Sequence, residues 1–238
     1  MMKPLQINYV LLKVVLLTSI AFFTACGGDT IVKGNPPNLT GIEKILILPF
    51  TDMASVFGEG ANGRCPVCGK MFTTGEVAED AAAMLTEHLF DLLKDRKDFE
   101  LIPSSQAQGV MSKLLAGSNK TVQERDLQLE IGRALNADAI FVGYIYRFRK
   151  RVGNEYSVDL PASVAFEIHL IRVEDGRVLW SAQFDETQQP LSDDLFRLGL
   201  FLKRKAKWIT AKDMAISGLE DMLKDFSVPA KTVTFENR

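Results

Sequence analysis

The stretch "RCPVCGKMF", residues 64–72, is where this chain concentrates residue types that can do chemistry. Two cysteines at this spacing, Cys65 and Cys68, can hold a metal, exchange disulfides or close on each other. Pro66 can start a tight turn, and Gly69 permits backbone N–H groups to point back at the sulfurs, as in a zinc knuckle. A structural zinc takes four ligands, and a second CxxC is absent. His88 lies 20 residues past Cys68 inside a helical pattern, and His169 reads as an outward-facing strand residue. One chain therefore comes out short of ligands, although two chains of a homo-oligomer could pool four cysteines. Zinc is the one cofactor these residues suggest, and a local disulfide is the competing use of the pair. Such a disulfide would close a small ring of little entropic value and would serve to fix the turn that presents Val67, Met71 and Phe72.

Two other readings fit the residues less well. Proline after the first cysteine resembles the redox motif of thioredoxin-like oxidoreductases. In that family the first cysteine sits at a helix N-terminus close behind a strand, where the dipole lowers its pKa. Here Cys65 stands 15 residues past the strand residue Phe50. Gly58, Gly60 and Gly63 spell GxGxxG, but a dinucleotide fingerprint needs those glycines between a strand and a helix, and these lead into Cys65-Pro66. No nucleophile motif, P-loop or HExxH is present, so the chain reads as a non-enzyme.

The elements that must position this segment begin after a leader. Lys3 and Lys13 precede an apolar run, Val14 to Phe23, that is about ten residues long and ends in small residues. That is a secretory signal, too short to span a bilayer. Phe23-Thr24-Ala25-Cys26 resembles a lipobox, with phenylalanine where that family usually carries leucine. The resemblance implies that residues 1–25 are removed and that Cys26 becomes the lipidated first residue. Gly27, in place of the aspartate that retains such proteins at the inner membrane, implies the periplasmic face of the outer membrane. Loss of Lys3 and Lys13 leaves 26 basic residues against 30 acidic, a net of −4, which speaks against nucleic acid. An oxidising compartment also suits a disulfide between the two remaining cysteines.

Residues 26–41 read as the lipidated cysteine and a flexible tether, of which Gly27 to Thr40, rich in Gly, Pro and Asn, reaches roughly 45 Å. "KILILPF", 44–50, is a buried strand stopped by Pro49. Residues 51–72 form a long inserted loop, and Thr73 with Glu76 has capping-box spacing for a helix bearing Ala78, Ala82, Leu85, Leu89 and Leu92. A short strand, "FELI", and two helices starting near Ser105 and Thr121 follow, with Asn136 suited to a left-handed stop. Three long strands come next, the last two joined through Asp175-Gly176, and then two helices, the second capped by Thr210. The order β-α-β-α-α-β-β-β-α-α predicts one α/β domain, three layers with a mixed sheet, over 42–228, followed by a tail at 229–238.

Three stretches, "KILILPF", "GRALNADAIFVGYIY" and "IHLIRVEDGRVLWSAQF", together resemble a superfamily of bacterial envelope proteins. It contains the penicillin-binding-protein activator lipoproteins, the curli secretion lipoprotein and the N-terminal domain of the Tol translocation protein. The resemblance implies a non-enzymatic assembly or regulatory factor that binds another envelope protein, and the long 51–72 loop, with apolar residues on a constrained turn, is the surface expected to make the contact. Intact mass of the protein drawn from its native envelope, under native and then denaturing conditions, tests the expectations together. A lipid increment at Cys26, a two-hydrogen loss at Cys65 and Cys68, and a retained metal each give a separate shift, and an unlipidated Cys26 would sink the lipoprotein reading.

Overall fold

A computed structural model describes residues 31–117, 123–154, 157–189, 208–224 and 226. The leader, Cys26, the helical pattern around Asp193 and the C-terminal tail lie outside the described residues.

The α/β domain with a mixed central sheet is present. "KILI" forms β2 (Lys44–Ile47), flanked by two parallel neighbours, β6 (Glu100–Ile102) and β7 (Ala139–Arg149). Asp138 sets the start of β2 by accepting from the backbone N–H groups of Glu43 and Lys44, both at 2.9 Å. Beyond β7 the sheet turns antiparallel through β10 (Ser163–Arg172) and β11 (Val178–Thr187). The β10–β11 turn runs through Gly176 at φ 70°, a conformation glycine adopts without steric cost. A short β3 (Thr51–Asp52) pairs with β7, and a hairpin of β8 (Val152–Gly153) and β9 (Val158–Leu160) joins β7 to β10.

Period-2 alternation gives the sheet two apolar faces, and helices cover both. On one face Phe141, Ile145, Phe166, Ile168 and Phe184 pack against α2 (Ala81–Leu93) and α5 (Ala211–Leu223) through Leu85, Leu89, Met214, Leu219 and Met222. Thr210 caps α5 as expected, accepting from Asp213 N–H at 3.1 Å. On the other face Leu46, Ile140, Val142 and Tyr144 meet α3 (Ser104–Gly117) and α4 (Glu124–Ala134). Asn136 ends α4 with φ 52°, the left-handed stop its type suggests.

Three expectations change. The proposed tether is in part structure: Ile31–Lys33 is β1, an edge strand on β11 with Ile31 opposite Phe184. An uncovered β11 would leave a row of unpaired backbone groups, and β1 caps it. The helix expected at Thr73 begins only at Ala81. Residues 75–78 stay extended because the end of β7 claims their backbone, through Gly75 N–H to Tyr146 at 2.8 Å and Phe148 N–H to Glu76 at 2.7 Å. Finally, the 51–72 loop is ordered. Asp52 caps a short helix α1 (Met53–Phe57), and β4 (Asn62–Arg64) pairs with β5 (Met71–Thr73).

The centre of the sheet is packed too closely to admit a side chain at Gly143. A Cβ there would stand 2.4 Å from the Phe50 ring, which itself lies edge-on to Phe166. Gly143→Ala should therefore cost about 1–3 kcal/mol in urea unfolding. Combined with Phe50→Leu, its cost should be less than additive; strict additivity would mean that the two sites do not touch.

Candidate functional site

The insertion between β3 and α2 lies against the second sheet face, and its interior side is part of the core. Phe72 on β5 stacks on Tyr146 of β7 with centroids 4.3 Å apart and planes at 16°, and Phe57 meets Phe72 edge-on at 5.5 Å. Gly63, opposite Phe72 on β4, must lack a side chain, because a Cβ would come within 2.5 Å of that ring. Thr74 pins the base of the hairpin, donating to the Gly58 carbonyl at 2.6 Å and accepting from Ala61 N–H at 2.9 Å.

The hairpin tip is the CxxC. Cys65 N–H donates to the Lys70 carbonyl at 2.9 Å and Gly69 N–H to the Cys65 carbonyl at 3.0 Å, with Gly69 at φ 72°. This turn directs the N–H groups of Val67 and Cys68 at Cys65 Sγ, 3.3 and 3.4 Å away. The knuckle geometry suggested by Pro66 and Gly69 is thus formed.

Beneath it lie two polar side chains from the middle of β10. Glu167 and His169 are two apart in a strand and so share a face, the one that also carries Ala165 and Ile171. Both are buried, at 2% and 1% exposure. His169 Nε2 is 3.0 Å from Glu167 Oε1 and 3.4 Å from Cys65 Sγ. Cys68 Sγ is 3.8 Å from Glu167 Oε2, and the Tyr146 hydroxyl donates a short hydrogen bond to Glu167 Oε1. One ligand atom from each of Cys65, Cys68, Glu167 and His169 lies within 4.8 Å of all the others. His169 Nδ1 has no hydrogen-bond partner.

Electrostatics follow from burial and pairing. Burial pushes the Cys65 thiol above its usual range, and although the N–H groups of Cys68 and Val67 oppose this, the Glu167 charge reinforces it. Burial also raises the Glu167 carboxyl. The hydrogen bond and charge of His169, with further hydrogen bonds from Cys65 and Tyr146, outweigh that and leave it below the usual carboxylate value. Tyr146 is pushed up by burial and then by the Glu167 charge, so it stays a hydrogen-bond donor.

The residues singled out in the sequence divide. Cys65 and Cys68 come together with Glu167 and His169, both as free thiols. Cys65 Sγ points inward at His169. His169 is not outward-facing: its strand face would be solvated were it not roofed by the insertion. His88 plays no part, lying on α2 across the sheet with Nε2 3.7 Å from Glu220. Of the three residues expected on the recognition turn, Met71 is exposed and Val67 half-buried, while Phe72 is core. Glu167 was not anticipated, although an acidic and an imidazole residue two apart in the apolar run "SVAFEIHLIRV" was a readable sign.

No family model matches the chain, and no curated protein matches it. Several solved structures are similar to the chain at low identity. PelC from Paraburkholderia phytofirmans, a dodecamer, is 15% identical over 84% of this chain and 99% of that one, with a TM-score of 0.49. The C-terminal domain of LpoB from Escherichia coli is 16% identical over 72% and 94%, at 0.36. Lipoprotein GNA1162 from Neisseria meningitidis is 11% identical over 69% and 98%, at 0.38. The functional reading rests on this chain's own residues.

Tyr146→Phe removes a donor to a buried carboxylate and should lower stability by about 1.5–3 kcal/mol, more than the roughly 0.5–1.5 kcal/mol of an ordinary neutral hydrogen bond. A loss below about 1 kcal/mol in chemical denaturation would mean that the Tyr146 hydroxyl does not bear on the carboxylate.

Proposed function

We propose that this chain is a lipid-anchored protein of the cell envelope, held by Cys26 at the periplasmic face of the outer membrane, that acts by binding another envelope protein and not by catalysis. The lipobox-like sequence before Cys26 supports the anchor. One observation carries the binding role. Among the described residues six large apolar side chains are exposed, and three of them, Val56, Phe57 and Met71, lie on the insertion. Exposed apolar side chains gathered on one small element mark a contact surface more than scattered ones do.

The insertion is suited to this work because its two sides are differently committed. Met53, Cys65 and Phe72 fill the core beneath it, which fixes its shape, and Val56, Phe57 and Met71 remain outside. The partner this surface fits presents an apolar patch of its own within reach of the membrane. Docking on a fixed surface avoids the cost of ordering a loop at the moment of binding.

The contact residues are accordingly Val56, Phe57 and Met71, with Phe72 below them as support. Phe57→Asp with Met71→Asp should leave the circular dichroism spectrum unchanged and cut crosslinking to the envelope partner at least about tenfold, as expected when apolar anchors are lost. Undiminished crosslinking would remove the insertion from the interface, and crosslinks only to a second copy of the chain would replace the foreign partner with self-association.

A further inference from the structure

We propose that Cys65 Sγ, Cys68 Sγ, a Glu167 carboxylate oxygen and His169 Nε2 are the four ligands of one structural zinc ion, which clamps the insertion to the central sheet. The inference goes beyond the docking role and does not depend on it.

Geometry is the first ground. Tetrahedral zinc with bonds of about 2.0–2.3 Å sets its ligand atoms about 3.3–3.8 Å apart. Cys65 Sγ to His169 Nε2 at 3.4 Å and Cys68 Sγ to Glu167 Oε2 at 3.8 Å fall in that interval, and the whole set spans no more than 4.8 Å. Small closing movements of the hairpin tip, not a refolding, would complete the tetrahedron.

Construction is the second. The N–H groups of Val67 and Cys68 already point at Cys65 Sγ, where they would stabilise a thiolate. Tyr146 fixes the Glu167 carboxylate by donating to Oε1, the kind of support that orients a metal ligand. A buried carboxylate and imidazole in mid-strand are costly to retain, and a bound cation gives them a use.

Ligand chemistry selects the ion. Two thiolates with an imidazole and one carboxylate favour zinc over the harder magnesium and calcium. Four protein donors leave no open position for substrate, so the site is structural and agrees with a non-catalytic role. On binding, the two thiol protons leave to solvent and each sulfur forms a bond to zinc, while His169 binds as neutral imidazole through Nε2. Three anionic ligands on a dication leave one negative charge. Lys33 and Lys70 line the small cleft that opens to Cys68, Glu167 and His169, placing positive charge beside it and giving the ion a way in.

Mechanically the clamp answers a need. A two-stranded hairpin such as β4–β5 is marginal alone, and Phe72 is the one large side chain it buries. A metal joining the hairpin tip to β10 ties it at the end opposite Thr74.

The test uses the full lipidated chain in detergent, reduced with a phosphine and stripped with a chelator. Zinc alone is titrated against a competing chelator, and cobalt is substituted for spectroscopy. One zinc per chain with a Kd below about 1 µM is expected, with thiolate-to-cobalt charge-transfer bands and intense tetrahedral ligand-field bands. Cys68→Ser, at an exposed position, should weaken zinc at least about 100-fold, and Glu167→Gln and His169→Asn should do likewise. Hydrogen exchange should show residues 62–73 losing protection on zinc removal while β7 and β10 keep theirs. Weaker binding by the reduced chain, a cobalt spectrum without charge-transfer bands, or a Cys68→Ser chain that binds as the wild type does would overturn the assignment. Should the buried variants fail to fold, the cobalt spectrum of the unaltered chain and Cys68→Ser still decide it. Phe57→Asp with Met71→Asp should leave zinc affinity unchanged, so failure of the docking role and failure of the metal site are read separately.

Discussion

The structure of the insertion depends on the burial of one carboxylate–imidazole pair. Glu167 and His169 occupy the centre of β10, between Ala165 and Ile171 on the same strand face, and neither can be withdrawn from water without partners. Tyr146 meets Glu167 from the adjacent strand, and His169 meets it from two residues along. The remaining side of the pair is closed by the two sulfurs of the hairpin tip. Removing the insertion would therefore expose more than apolar surface: it would open a polar seam in the sheet. The short helix, the hairpin and the extended run into α2 are the covering that this seam requires.

The two faces of the sheet are closed by different means. Paired helices cover the first chiefly with aliphatic and aromatic side chains, a continuous apolar contact of the ordinary kind. The second has α3 and α4 over Leu46, Ile140 and Val142, and the non-helical insertion, with Cys65 and Phe72, joins the same layer. Loops make poor covers because their backbone polar groups also need partners. Here those groups are met within the hairpin, by Thr74 and by the sulfur of Cys65.

Much of the fold was legible in sequence because its signals are local. "KILI" stopped by proline, the alternation of β10, Gly176 in the turn and Thr210 as a cap each act through their own backbone. What misled were cases where a distant strand overrode a local preference. Thr73 and Glu76 have capping spacing, yet β7 captures the following backbone into a bridge at Val77 and Phe148. Ile31–Lys33 sits among tether-like residues and becomes a strand only because β11 needs a partner. The site shows the same division. CPVCG spelled out its own turn, but nothing in its spacing could reveal that residues some hundred positions later stand beneath it. His169 reads as outward-facing and is buried, because the insertion that roofs its strand face leaves no sign in the β10 sequence.

The edge strand β1 has a consequence for where the protein stands. Ile31 is committed to the sheet, so a lipid on Cys26 would leave a leash of five residues, about 17 Å at full stretch. The domain would then be berthed against the bilayer with its β1 flank inward, not floating at the end of a line. Val32 and Lys33 of that flank border the cleft that reaches Cys68. The insertion would thus sit on the landward side of the molecule, and whatever it grips must come to it along the membrane.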